Sequence, residues 1–188
     1  MSSYIIAPAG ILILAALIFG AVSLGGSSLV PQLSGISSEE GTTSSNSNAD
    51  LVGRDALYFD LPDTAGNRVK LSDFVDTPLL IVFWATWSSE ASDQMHILDQ
   101  YLSEEGNQLV QIVAIDTQEE KSVVSSFMRR GGYTVPVLTD VQGATAAEYD
   151  VKSLPMLYFI GRDGVIQDAY AGVMSQRMLV DKLEKISQ

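Results

Sequence analysis

Few side chains in this sequence could do chemistry, and their spacing limits what they can do. Ser88 and Ser89 sit where an apolar run gives way to a helical pattern, and the chain's one histidine, His96, lies eight residues beyond Ser88. A serine hydroxyl becomes a nucleophile only beside a positioned base. Eight residues of helix span about 12 Å, well beyond hydrogen-bond reach, so a Ser–His pair within this segment is closed off geometrically. Ser88 or Ser89 reads instead as the cap of the helix. The 188 residues include no cysteine. Thiol nucleophiles, disulfides and Cys/His zinc sites are therefore excluded together. A second candidate is the acid group Asp116, Glu119 and Glu120, which follows a strand-like run at the edge where α/β sheets bind ligands. Such acids could hold a hard cation. They equally suit a solvated loop entering a helix whose N-terminus favours negative charge. The second reading is preferred, so neither metal nor cofactor is expected.

The elements that must position these residues follow from hydropathy and turn chemistry. Leu57–Leu61 and Arg68–Leu71 read as strands around the turn 63–67, with a short turn or helix near Phe74. Leu79–Trp84 is continuously apolar, the pattern of a strand buried on both faces. A helix over Ser89–Glu105 presents Ala91, Met95, Leu98 and Leu102 on one side, and Gly106 marks its stop. Further on come a strand (Leu109–Ile115), a helix (Lys121–Arg130, ended by Gly131-Gly132), a short strand (Val135–Leu138) and a short helix (Ala144–Tyr149). The chain closes with a hairpin, Met156–Ile160 and Val165–Ala171 around Gly161–Gly164, and a helix over Ser175–Ile186. Strands alternating with helices imply parallel pairing, and the closing hairpin makes the sheet mixed.

The first 50 residues are of another kind. Tyr4–Leu24 is an uncharged run of 21 residues, long enough to span a bilayer as a helix. A cleaved signal peptide, cut after Ala21-Val22-Ser23, is the alternative. The missing basic flank and the length of the run favour a retained anchor, residues 1–24. No Lys or Arg lies near either end, so charge leaves the orientation open. In Gly25–Asn48, 16 of 24 residues are Ser, Gly, Thr or Asn. That composition makes residues 25–50 a linker, with a mean reach of roughly 27 Å for its 24-residue core. Residues 51–188 form the folded domain. They carry 11 basic and 20 acidic side chains, a net −9. Such a surface repels nucleic acid and keeps the domain soluble.

The stretch Phe83–Ala91, F-W-A-T-W-S-S-E-A, resembles the active-site segment of the thioredoxin superfamily. It is most similar to that of the membrane-anchored TlpA/ResA-like branch, whose pattern is FWATWCxxC. Asp63–Leu71, Val135–Asp140 and Val151–Gly164 agree with the same branch in order and spacing. The resemblance covers residues 51–188. It implies a thioredoxin-like three-layer α/β fold with a mixed central sheet, preceded by a transmembrane helix, with the domain outside the cytoplasm, on the periplasmic or cell-surface side. It also implies that Pro155 is the family's cis-proline and that Leu154 presents its backbone to a bound peptide. Trp84 then belongs to the core, and Trp87 to the surface beside the motif. The two cysteine positions of the motif are Ser88 and Ala91 here, and neither residue can form a disulfide. Related peroxidase chemistry needs a cysteine too.

The expected function is therefore a redox-inactive, membrane-tethered domain. It would serve as a protein-binding or assembly factor, taking a protein or peptide through Trp87, Ser88, Ser89, Leu154 and Pro155, with no catalytic residue. Thiol-disulfide exchange of the TlpA/ResA type, a cytochrome-maturation role, is the family alternative that Ser88 and Ala91 contradict. A metal-dependent enzyme built on the acids is the third reading.

Overall fold

The computed structural model describes residues 50–105 and 110–188. The proposed anchor and nearly all of the linker lie outside the described residues, as does the Gly106 stop. Among the described residues no helix is long and apolar enough to cross a membrane.

Five strands form the central sheet, in the order β5 (Val137–Asp140), β4 (Gln111–Thr117), β3 (Leu79–Trp84), β6 (Met156–Ile160) and β7 (Ile166–Ala171). β3, β4 and β5 run parallel, while β6 and β7 are antiparallel. A two-stranded hairpin, β1 (Asp60–Pro62) and β2 (Arg68–Lys70), precedes them, and a 3-10 turn follows at Leu71–Phe74. The helices are α1 (Ala91–Glu105), α2 (Lys121–Gly131), α3 (Ala144–Glu148) and α4 (Gln176–Ile186).

β3 is central because every one of its six residues can be buried. Successive side chains of a strand point to opposite faces. Leu80, Val82 and Trp84 therefore join one core with residues of α1, α2 and α4, while Leu79, Ile81 and Phe83 join the other with Tyr149, Tyr158 and Phe59. Two apolar layers around one sheet give the three-layer α/β architecture. The second core is also tied by hydroxyls. Tyr149 donates to the Leu57 carbonyl at 2.7 Å, and Tyr158 to the Tyr149 carbonyl. Burial pushes the Tyr158 phenol up to about 12, and Tyr149 higher still.

Several boundaries differ from the sequence expectation, two of them together. β4 and β5 each extend two residues further than expected toward their carboxyl ends, through Asp116-Thr117 and Thr139-Asp140. The expected strands stop at the last apolar residue, whereas the ladder continues through polar residues that are buried. α1 begins at Ala91 rather than Ser89, and β1 begins only at Asp60.

Candidate functional site

The carboxyl ends of β3 and β4 and the amino end of β6 meet at one edge of the sheet. The loop leaving β3 turns tightly, with the Ser88 amide bonded to the Ala85 carbonyl at 3.1 Å and the Ala91 amide to the Ser88 carbonyl at 3.1 Å. Trp84 is buried against Phe127, ring centroids 5.2 Å apart. Trp87 is 67% exposed. The two aromatics of one motif thus have opposite roles, as the resemblance implies.

The expected serine cap is not formed by a hydroxyl. Ser88 Oγ and Ser89 Oγ both donate to Glu90 Oε2, at 3.1 and 2.7 Å. The adjacent glutamate takes both hydroxyl protons, and neither hydroxyl accepts from a helix amide. The Ser89 hydroxyl is also the first cause that holds the Glu90 carboxyl below its usual range. A carboxylate accepting from Ser88 could in principle orient it. A fully exposed glutamate in water, however, is a weak base toward a hydroxyl of ordinary acidity. His96 is exposed further along α1, and Ala91 is buried in the core.

Facing this loop, the Leu154–Pro155 peptide bond is cis. Pro155 is buried and Leu154 half-buried. Between the two loops runs an open groove of about 500 Å³, lined among others by Trp87, Ser88, Thr117, Gln118, Lys152 and Leu154. A larger share of polar surface distinguishes it from a similar cavity at the opposite end of the sheet, around Tyr58 and Phe74. Four of the five predicted binding residues (Trp87, Ser88, Ser89 and Leu154) line the one groove, and Pro155 adjoins Leu154.

The acids do not form a metal centre. Among the described residues no group of three His, Cys, Asp or Glu side chains could hold a metal ion. Instead they divide. Glu120 is exposed at the start of α2. Glu119 reaches across to the β3–α1 loop, where its two oxygens accept from the Thr86 amide at 2.5 Å and the Thr86 hydroxyl at 2.6 Å. Asp116 is fully buried, and neither of its oxygens makes a hydrogen bond. Burial first, then the Glu119 carboxyl and its charge, then the charge of Asp140, push the Asp116 carboxyl up to about 9. Sequence reasoning found Asp116 and Glu119 but missed Thr86, because nothing local pairs positions 33 residues apart. It also missed Gln94, a buried α1 residue whose Oε1 accepts from the Met174 amide at 2.9 Å.

A mixed sheet in the order β5-β4-β3-β6-β7, an α1 launched from the central strand and a cis-proline facing that helix's start define a thioredoxin-fold domain. Residues 52–169 match the AhpC/TSA family, and the chain belongs to it. Within that family it is a ResA-like member. It is 31% identical over 134 residues to the thiol-disulfide oxidoreductase ResA of Bacillus subtilis, covering 71% of this chain and 75% of ResA. It is also 31% identical to the thioredoxin-like protein YneN of the same organism, covering 70% and 78%. Among solved structures, a thiol:disulfide interchange protein DsbE from Chlorobium tepidum superposes with a TM-score of 0.67 at 24% identity, covering 73% of this chain and 98% of that one. The exposed lipoprotein thioredoxin Etrx1 of Streptococcus pneumoniae gives 0.61 at 23%, covering 69% and 99%. These two structural likenesses speak to fold alone.

Proposed function

We propose that this chain is a thioredoxin-like domain that passes no electrons and binds an extended protein segment in the groove between Trp87 and Leu154, outside the cytoplasm and tethered by residues 1–24. The observation that carries the reading is the pairing of an intact groove with an absent thiol couple. The cis Leu154–Pro155 bond, the exposed Trp87 and the open 500 Å³ cleft are all present around Ser88 and Ala91. Electron transfer between thiols requires sulfur at both motif positions. A groove that binds peptide does not. The extracytoplasmic location rests on the uncharged 21-residue run and on the likeness to the membrane-anchored TlpA/ResA branch.

The test is affinity capture from envelope extract with the full chain, compared with Trp87→Ala and Leu154→Asp. A specific partner that is lost from both variants supports the reading, and equal recovery by both overturns it. The metal-enzyme alternative gains nothing from the acids: Glu119 is engaged by Thr86, Asp116 is buried in the core and Glu120 is exposed at the start of α2.

A further inference from the structure

The two sides of the groove carry different charge. Among its lining residues Glu90 is the one anion and Lys152 the one cation. Lys152 is already answered, because its Nζ lies 2.9 Å from Asp150 Oδ2. Glu90 is not: among the described residues no lysine or arginine pairs with it. Its carboxylate accepts instead from the hydroxyls of Ser88 and Ser89, both on Oε2, at 3.1 and 2.7 Å. A carboxylate only accepts, so both hydroxyl protons are spent on it. The two serine oxygens then offer lone pairs to whatever enters the groove. Where the branch pattern has its first cysteine, this chain presents acceptors beside one negative charge that no side chain balances.

Trp87 adds a second attraction of the same sign. Its side chain is two-thirds exposed. Thr86, directly before it, is held by Glu119 through both its amide and its hydroxyl. The face of an indole ring attracts guanidinium and ammonium groups. Ring, acceptors and carboxylate thus come from four consecutive residues, 87–90, that line one side of the groove.

We propose that the groove selects a protein segment bearing a basic side chain, arginine above all, which stacks on Trp87 and pairs with Glu90. A planar guanidinium can do both at once, since it stacks on aromatic faces and donates through a fork of N–H groups. Lysine brings the charge without the fork. An acidic segment meets no free cation in the groove and approaches a chain of net charge −12. The inference deepens the peptide-groove reading and rests on it for the class of occupant; what it adds is the side chain that is recognised.

The experiment uses the full chain in a neutral detergent and reads fluorescence anisotropy. The probes are dye-labelled Gly/Ser peptides of equal length that carry arginine, lysine, glutamate or no charge. Affinity should fall in that order, with the uncharged peptide ahead of the glutamate one. Glu90→Gln should weaken the arginine peptide about threefold and leave the uncharged peptide unchanged. Trp87→Ala should weaken the arginine peptide by about the same factor. Glu90→Lys should erase the preference for arginine over glutamate. Glu184→Lys makes the same change in net charge at an exposed α4 position away from the groove, and should keep that preference. Equal affinity for the arginine and uncharged peptides, a preference that survives Glu90→Lys, or equal loss in Glu90→Lys and Glu184→Lys overturns the proposal. A captured partner that depends on Trp87 but binds through a segment without basic residues sinks this inference and leaves the groove reading standing. Arginine selection in the absence of any captured partner does the reverse.

Discussion

The middle of the sheet and its carboxyl edge are built by different rules. In β3 every side chain is buried, and all are hydrocarbon except the Trp84 indole N–H at its carboxyl end, which has no partner. At the edge, one step along the same strands, Asp116, Thr117, Thr139 and Asp140 are buried and polar, and Asp116 and Thr117 have side-chain oxygens without partners. A buried polar group without a hydrogen bond is destabilising. The middle therefore supplies the stability, and the edge draws on it to hold a shaped groove. Trp84 and Trp87, three residues apart, mark the boundary between them.

The contrast breaks most severely in the middle. Phe83→Ala removes a ring packed edge-to-face on Tyr158 at 6.0 Å and against Tyr149 at 5.2 Å. The expected loss is about 4 kcal/mol in urea unfolding. A loss below about 1 kcal/mol would mean that this core is not where stability resides.

The next effect comes from Asp116→Asn and has the opposite sign. The folded-state pKa of Asp116 lies above its unfolded value of 3.8, at about 9. The wild type is therefore relatively most stable below the unfolded value and loses stability as pH rises toward the folded one. Asn carries no proton to lose. The variant should gain on the wild type by a margin that widens from about pH 5 to 9, reaching several kcal/mol by linkage. A margin that stays constant with pH would contradict the buried acid.

At the groove the changes touch function and leave the fold alone. Trp87→Ala should weaken partner binding about tenfold, or roughly 1.4 kcal/mol. Its unfolding free energy should shift by no more than about 0.5 kcal/mol, since Trp87 is exposed. The smallest effect is Tyr149→Phe, which removes the hydrogen bond to Leu57 and should cost about 1 kcal/mol or less by thermal unfolding.

The strands and helices were legible in the sequence wherever apolar residues set the period. β3 and β6 match the expected Leu79–Trp84 and Met156–Ile160 residue for residue. The expected N-terminus of α4, Ser175, is its cap, accepting from the Met178 amide. Legibility failed at the polar edge, where strand ends carry Asp and Thr that hydropathy assigns to loops. The family motif located the groove and its missing sulfurs. It could not show that Glu119 clamps Thr86, because a contact across 33 residues is made by the fold. It also could not show that Ser88 and Ser89 turn to Glu90 rather than to helix amides.

The most direct test is an insulin-reduction assay on the unaltered chain beside the double variant Ser88→Cys, Ala91→Cys. The unaltered chain should show no turnover, and the double variant should gain it, because the helix start and cis-proline that serve a thiol couple are already in place. Measurable reduction by the unaltered chain would contradict the claim that this scaffold carries no electrons.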